Sequence, residues 1–430
     1  MRIGYASQTV GIPGVKFKTT RLKNITDEKL IELIHSNLHS LDLIFDYNIK
    51  NNIQMFRISS DIIPFGSHEA NKLKWWELFQ EELVALGKKA QDNDIRLSMH
   101  PGQYTVLNSP NIDVVHRAAA DLLYHTRFLD AMNLDESHKI ILHVGGVYGD
   151  KKSAMERFIE NYKQLDERIH KRLIIENDDR QYTISDVLSI AEKINTPVVF
   201  DNLHHECNPD DELSEAEWMI ESKKTWGIKD GQQKIHYAQQ DAEKRLGAHS
   251  RTVDLKKFAK FYSKLPTKEI DIMFEVKDKN LSAIKGINLL ATPHIKYLEK
   301  EWGRYKYWVL EHSPQIYNEI RQLLKDKNHY PVIEFYEWID KALEKPIRGG
   351  TAVNAAQHIW GYVEDLADAK TRANFDRNIE KVAEGGSTLP LKRLLWKLAV
   401  AKEQPYLMNS LYFNEIYSEY AKKYRLILER

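Results

Sequence analysis

Short apolar runs recur along roughly the first 280 residues of the chain, each bounded by turn-forming or charged residues. The eight runs are RIGYA (2–6), MFRISS (55–60), RLSMH (96–100), KIILHVG (139–145), RLIIE (172–176), TPVVFDN (196–202), KIHYA (234–238) and DIMFEVK (271–277). Runs rich in Ile and Val within helical sequence are typical of parallel strands that are buried on both faces. The pattern therefore predicts eight strands before residue 280.

Segments of helical length separate these runs, with apolar residues three and four positions apart. The clearest predicted helices cover residues 26–47, 74–93, 114–132, 153–170 and 185–194. Eight alternating strands and helices match a (β/α)8 TIM barrel, which typically needs about 250 residues. An open doubly wound sheet is the alternative, but no glycine-rich phosphate loop follows the first strand. We therefore predict an α/β fold, with a TIM barrel over residues 1–295.

The alternation of strands and helices stops near residue 295, and only helical periodicity continues. This part of the chain is rich in Lys, Glu, Trp and Tyr, with breaks at Pro314, 346–350 and 384–387. We predict a small all-α domain over residues 305–430, for which the sequence indicates no function.

Bulk composition is that of an ordinary globular protein, with 42% apolar and 29% charged residues. Lys plus Arg equals Asp plus Glu at 62 each, so any basic surface that faces nucleic acid must be local. The single cysteine, Cys207, excludes an internal disulfide, and the sequence MRIGYASQTV does not resemble a secretory signal. No run reaches the roughly 20 apolar residues of a membrane span. These features predict a cytoplasmic protein.

Side chains that can bind metal lie at or just after the ends of the second to eighth predicted strands. They are His68, His100, His143, Glu176, Asp201, His204, His236, His249 and Glu275. Because a barrel gathers the carboxyl ends of its strands around one axis, we expect these side chains to converge. Imidazole and carboxylate ligands without cysteine favour Zn, Mn or Fe. Such a set exceeds the roughly four to six positions of one ion, which predicts two or three ions.

Other histidines and acids have simpler interpretations. Histidines on or beside helical segments are expected to be structural, namely His35, His39, His116, His125, His138 and His170. Asp178 and Asp179 are expected to cap the helix that follows them.

Six motifs, in this order and spacing, resemble those of the UV damage endonuclease family: SMHPGQY, ILHVGG, IIENDDR, VVFDNLHH, KIHYA and MFEVKDKN. That family is a TIM-barrel relative of the endonuclease IV type of abasic-site nuclease, and the resemblance covers roughly residues 1–290. It implies a DNA repair enzyme that cuts duplex DNA on the 5′ side of UV photoproducts and abasic sites, leaving a 3′-hydroxyl and a 5′-phosphate. It also implies two or three divalent ions on the nine residues named above, manganese first and zinc or magnesium as alternatives.

The resemblance also implies roles for individual residues. Gln103 and Tyr104 match a pair that enters the duplex where damaged bases are extruded, since a ring fills the space and an amide bonds the orphaned partners. Tyr5 matches a tyrosine that lines the damage pocket. Lys234 matches a lysine that is carboxylated in related enzymes, because nearby cations favour its neutral form. The predicted catalytic residues are Glu176, Lys234 and His236.

Two other functions remain open at this point. A metal-dependent sugar isomerase or epimerase on the same barrel would use one or two ions and convert ketoses without DNA. A non-catalytic scaffold would bind damaged DNA and recruit repair proteins through residues 305–430. For the nuclease, the expected partner is damaged double-stranded DNA, and the expected state is a monomer associated with the nucleoid and not with a membrane.

Overall fold

The computed structural model describes residues 1–417, which divide into two compact units. The first comprises Met1–Gln8, Phe17–Val253 and Lys257–Ile284, and the second comprises Thr9–Lys16, Asp254–Lys256 and the chain from Lys285 onward. The division after Ile284 comes earlier than the predicted boundary at 295–305. The last part of the predicted helical domain, residues 418–430, lies outside the described residues.

The first unit is a closed barrel of eight parallel strands that pair in chain order, with the last strand beside the first. The strands are β1 Ile3–Ala6, β2 Met55–Ile58, β3 Arg96–Met99, β4 Lys139–His143, β5 Leu173–Glu176, β6 Val198–Asp201, β7 Lys234–Tyr237 and β8 Asp271–Phe274. Each strand lies within its predicted run. The predicted TIM barrel is therefore confirmed.

Helices connect successive strands. In the barrel part of the chain they are α1 Asp27–Lys50, α2 Trp75–Leu78, α3 Gln80–Asp92, α4 Ile112–Ala131, α5 Lys151–Lys163, α6 Glu167–His170, α7 Ile184–Ile194, α8 Asn202–Cys207, α9 Glu215–Lys223, α10 Leu255–Ser263 and α11 Asn280–Leu290. Two predicted helices, 74–93 and 153–170, are each divided in the structure. The second division occurs because the Asp166 side chain accepts a hydrogen bond from the backbone N–H of Arg168 and starts a new helix.

The register of the barrel sets the candidate ligands side by side. His143 pairs with Glu176 across β4 and β5, and Asp201 pairs with His236 across β6 and β7. Since side chains alternate along a strand, residues two positions before these share their face of the sheet. Three of these residues, Ile141, Ile174 and Val199, form a buried apolar cluster with Trp226, whereas the fourth is Lys234.

The amino-terminal end of the barrel is held by an ion network around Asp271, which is 0% exposed. Its Oδ1 accepts a hydrogen bond of 2.7 Å from the backbone N–H of Arg2. Its Oδ2 lies 3.1 Å from Arg2 Nη1 and 3.0 Å from Arg96 Nη1. These bonds join the starts of β1, β3 and β8, so they help to close the barrel.

The second unit is helical throughout its described part after residue 290 and has its own core. Its helices are α12 Ile295–His312, α13 Pro314–Leu323, α14 Val332–Leu343, α15 Gly349–Trp360, α16 Ala369–Ala383, α17 Leu389–Ala401 and α18 Pro405–Met408. Buried residues of that core include Tyr307, Ala355, Ile359, Trp396 and Phe413. Within residues 1–417, no helix is both long and apolar enough to span a membrane.

The Asp271 network supports a prediction about stability. Replacing Asp271 with Ala leaves Arg2 and Arg96 without their carboxylate partner. Breaking a buried ion pair costs about 3–5 kcal/mol of folding free energy. We expect denaturant unfolding to show a loss in this range. Asp92→Ala is the matched control, because it removes an exposed pair with Lys88 at 2.8 Å and should change stability little. Equal effects of the two substitutions would contradict the proposed role of the network.

Candidate metal centre

The carboxylate of Glu176, at the end of β5, is surrounded by three imidazoles. Its Oε1 lies 3.0 Å from His100 Nε2 and 2.9 Å from His143 Nε2. Its Oε2 lies 2.6 Å from His236 Nδ1. Glu176 is 1% exposed, so these contacts take place away from bulk solvent. The predicted convergence of these strand ends is thus present in the structure.

Two groups of potential ligand atoms share this glutamate. His100, His143 and Glu176 form one group, and Glu176, Asp201 and His236 form the other, with the atoms of each group within 4.8 Å of one another. Glu176 belongs to both groups, so the two groups share one carboxylate.

The donor atoms in this cluster are consistent with metal binding. Several are buried and lack a hydrogen-bond partner among the described residues, namely His143 Nδ1, Asp201 Oδ2 and His236 Nε2. Buried polar atoms without partners are costly, and this cost is removed when they coordinate a cation. The donors are nitrogen and oxygen only, which suits a divalent transition metal such as manganese or zinc.

Electrostatics keep the two glutamates of the site ionised. Burial acts to raise the pKa of Glu176, but His236 and His143 outweigh it and hold that pKa well below its ordinary value. Burial likewise opposes ionisation of Glu275, whose pKa is lowered by the guanidinium of Arg57 and by His236. Both carboxylates are therefore available as ligands at neutral pH.

The pKa of His204 is raised, whereas the pKa values of the two glutamates are lowered. Burial lowers its pKa, but the negative charges of Asp201, Glu176 and Glu275 dominate and raise it to about 9. Its Nδ1 is 2.9 Å from the backbone carbonyl of Asn177 and 3.8 Å from Asp201 Oδ1. The metal-free centre therefore holds a proton on His204 that a cation would displace.

The remaining predicted ligands lie farther from the shared carboxylate. Glu275 Oε1 is 3.2 Å from His236 Nδ1, and His249 is close enough to contribute to the lowered pKa of Glu275. His68 is exposed on a loop, where its Nδ1 accepts a hydrogen bond of 3.0 Å from Ala70 N. Neither three-residue group includes His68, so its role as a ligand stays a prediction.

Tyr5 does not lie where the sequence predicts it. The residue is 0% exposed, its hydroxyl donates to Asn48 Oδ1 of α1 at 2.9 Å, and its ring packs against Phe56 at 5.1 Å. Alternation along β1 points Tyr5 towards the helical layer and not into the barrel mouth. The prediction that Tyr5 lines a pocket for damaged DNA is therefore wrong in this structure.

The loop after β3 exposes Gln103 and Tyr104, and the tyrosine is 70% exposed. Thr105 anchors the loop, because its hydroxyl donates to Asp121 Oδ2 at 2.7 Å and its N–H donates to Gly102 O at 2.9 Å. A Cβ on Gly102 would lie 2.6 Å from the exposed ring of Tyr104, so the two residues are close neighbours in the loop. The loop is therefore anchored at Thr105, and the side chains of Gln103 and Tyr104 project from it into solvent.

Asp178 has a role that differs from the predicted helix cap. Its Oδ1 accepts hydrogen bonds from the backbone N–H groups of Arg180 and Gln181, and its Oδ2 accepts one from Tyr182. The following helix is capped instead by Thr183, in a capping box with Asp186. Asp178 therefore shapes the loop that leaves β5 before the helix begins.

Two residues of the site were missed by reasoning from sequence. Arg57 of β2 makes a short ion pair with Glu275 Oε1. The side chain of Asn177 bonds both backbone groups of Asp201, accepting from its N–H at 2.9 Å and donating to its carbonyl at 3.1 Å. Met55 packs with Ala6 and Met273 inside the barrel. Because side chains alternate along a strand, the sequence could have placed Arg57, two positions later, in the barrel as well. No sequence signal identifies the partners of Asn177.

Lys234 lies inside the barrel and is 1% exposed. Burial lowers its pKa well below the ordinary value, and Arg96 and Arg57 add to that effect while Asp271 and Glu176 oppose it. The environment therefore favours a neutral amine, which is the form that reacts with carbon dioxide.

Comparison with known proteins matches two families to separate parts of the chain. Residues 1–301 match the family model UV-endonuclease UvdE, and residues 306–416 match a family described as a protein of unknown function, DUF1722. The chain belongs to the UV-endonuclease UvdE family. Membership of the UvdE family identifies the barrel as a nuclease domain.

Individual relatives agree with this assignment. The UV DNA damage endonuclease of Clostridium perfringens (strain 13 / Type A) is 42% identical over 351 residues, which cover 80% of this chain and 84% of that protein. The UV DNA damage endonuclease of Bacillus cereus (strain G9842) is 33% identical over 322 residues, 72% of this chain and 99% of that protein. The crystal structure of SacUVDE is 37% identical, with a TM-score of 0.63 over 67% of this chain and 98% of its own.

The raised pKa of His204 predicts pH-dependent metal affinity. Below a pKa of about 9 the imidazole must lose a proton before it binds a cation. We expect the affinity of metal-free protein for Mn²⁺, measured by calorimetry between pH 6.5 and 8.5, to rise by about tenfold per pH unit. His204→Gln should flatten this dependence. An affinity that does not change over this range would contradict the prediction.

The same shift affects stability. Because the folded pKa of His204 exceeds the ordinary value of 6.5, the stabilisation by its proton is complete below pH 6.5. This stabilisation is lost as pH rises towards about 9 in the metal-free protein.

Proposed function

We propose that the chain is a DNA repair endonuclease that nicks duplex DNA on the 5′ side of UV photoproducts and abasic sites. Hydrolysis of the phosphodiester would leave a 3′-hydroxyl and a 5′-phosphate. The observation that carries the proposal is the convergence of His100, His143 and His236 on the Glu176 carboxylate at the barrel mouth. Membership of the UvdE family and the names of the relatives support the substrate.

The proposed centre holds two or three divalent ions, with manganese the first choice and zinc or magnesium the alternatives. Such ions supply Lewis-acid stabilisation of the charge that develops on phosphate oxygens. Glu176 and Glu275 bind as ionised carboxylates, since their pKa values are lowered. His236 lies between these two glutamates, with its Nδ1 2.6 Å from Glu176 Oε2 and 3.2 Å from Glu275 Oε1. We assign the catalytic roles to Glu176, His236 and Lys234.

Lys234 is proposed to carry a carbamate. The neutral Nζ would attack the carbon of carbon dioxide, a nitrogen–carbon bond would form, and one proton would leave to solvent. The product is an anion, which suits a position among Arg96, Arg57 and the metal centre better than an ammonium does. Burial of the side chain supports this proposal, because it favours the amine over the ammonium.

Gln103 and Tyr104 are proposed to probe the DNA for lesions. An exposed ring on an anchored loop can occupy the space left by extruded bases, and the neighbouring amide can bond the bases opposite. The proposed partner is thus damaged double-stranded DNA, bound by a monomer at the nucleoid. Tyr104 is 70% exposed and needs no rearrangement of the core to reach a duplex.

The nuclease proposal is tested with purified protein, Mn²⁺ and an end-labelled, UV-irradiated duplex. We expect a nick 5′ to the lesion whose 3′ end a polymerase can extend. Glu176→Gln should remove both the bound manganese and the nicking. The rate should fall by more than about 100-fold, because replacing a residue that only orients a metal ligand already costs up to about 100-fold. Lys234→Ala should keep most of the manganese yet nick slowly.

These variants make the test specific. Absence of a nick by the wild-type protein would reject the proposed function. Wild-type rates in Lys234→Ala would reject the carbamate, because that substitution removes the only atom on this side chain that can carry it.

The probing loop generates a separate prediction. Combined Gln103→Ala and Tyr104→Ala should lower nicking at photoproducts by about 10–100-fold, since stacking on one base contributes roughly 1–3 kcal/mol. Nicking at an abasic site, where one base is already missing, should fall less. Tyr297→Ala, at an exposed tyrosine of the helical unit, is the control and should change neither rate. Equal losses on both substrates would argue for a general role in DNA binding.

A further inference from the structure

Lys279, in the loop between β8 and α11, has an unusual backbone. Its φ is +56°, in the left-handed region that residues other than Asn, Asp and Gly rarely adopt. Two backbone bonds hold this conformation, from Lys279 N–H to Val276 O at 3.4 Å and from Ala283 N–H to Lys279 O at 3.1 Å. Neither bond requires a lysine side chain. The residue type is therefore not explained by the turn.

The Lys279 side chain lies beside the metal centre. It is half-buried, and its charge interacts with Arg57, Glu275 and Asp278. Burial is the main cause that lowers the pKa of Lys279, and repulsion from Arg57 adds to it. An ammonium in such a place destabilises the fold unless an anion compensates it.

Glu275 is an unsuitable anion for that purpose, because it already has two partners. Arg57 makes an ion pair with Glu275 Oε1, and His236 Nδ1 is 3.2 Å from the same oxygen. Within residues 1–417, the Lys279 ammonium forms no ion pair at 4 Å or less. The nearby Lys277 differs, since its Nζ is 3.2 Å from Asp241 Oδ2.

We propose that Lys279 binds a phosphate of the DNA strand next to the bond that is cut. The proposal rests on the proposed function and adds a DNA-contacting residue to it. A phosphodiester could approach the Lys279 ammonium more closely than Glu275 and Asp278 do, and this ion pair would form at the edge of the metal centre. Strained backbone at functional sites is maintained when the side chain it positions is required there.

The test replaces Lys279 with Gly, which adopts the left-handed conformation without strain. Because strain and charge repulsion are both removed, we expect the melting temperature to rise by about 2 °C. We expect kcat/KM for nicking of a UV-irradiated duplex to fall by about tenfold or more, mainly through KM. The slope of log binding constant against log salt concentration should decrease by about one, as for loss of one phosphate contact.

Two further variants complete the experiment. Lys279→Asn keeps a residue that tolerates the left-handed region and should show the same loss of affinity. Lys277→Gln removes an equal charge two positions away, from a lysine that is already paired, and should change kcat/KM less than about threefold. Greater stability together with weaker DNA binding would separate a functional role from a structural one.

The outcomes distinguish this inference from the proposed function. If the wild-type protein does not nick DNA, the proposed function fails. If the wild-type protein nicks and Lys279→Gly nicks at the same rate with the same salt slope, only this inference is overturned. It is also overturned if Lys279→Gly loses its bound manganese, because the lysine would then act through the metal ligands and not through DNA.

Discussion

The charge of one buried carboxylate organises the mouth of this barrel. Glu176 is excluded from solvent, yet its pKa is held low by the imidazoles of His236 and His143. An ionised group in such surroundings requires compensating positive charge. Divalent cations can supply it, and imidazoles and carboxylates are their usual ligands. The proposed metal centre is therefore a consequence of where the fold places this one side chain.

Buried charged groups are compensated differently at the two ends of the barrel. At the amino-terminal end, Asp271 is paired with Arg2 and Arg96, so protein groups satisfy its charge. At the carboxyl-terminal end, buried atoms of Asp201 and His236 have no hydrogen-bond partner among the described residues. The paired charges around Asp271 stabilise the closed sheet. The unpartnered atoms of Asp201 and His236 are available to bind ligands. This contrast follows the general division of the TIM barrel into a stabilising face and a catalytic face.

Lys234 lies between these two regions and is influenced by both. Its side chain interacts with Arg96 and Asp271 towards one end and with Arg57 and Glu176 towards the other. No single contact explains its low pKa, because burial is the largest cause. A lysine that is neutral in the core is chemically reactive, whereas an arginine at the same position would stay charged. With the proposed carbamate, the interior of the barrel would contribute to the chemistry as well as to the packing.

The sequence by itself determined the eight strands, the closed barrel and the convergence of several strand-end side chains on Glu176, because buried parallel strands are recognisable as β-branched runs and a barrel aligns their ends. It did not determine which way Tyr5 faces, since a shift of one position reverses the face of a strand residue. The ion pair between Arg57 and Glu275 likewise joins residues 218 positions apart. Only the tertiary structure brought such pairs together, because their interaction depends on how β2 and β8 are placed around the axis, and local periodicity carries no information about that distance.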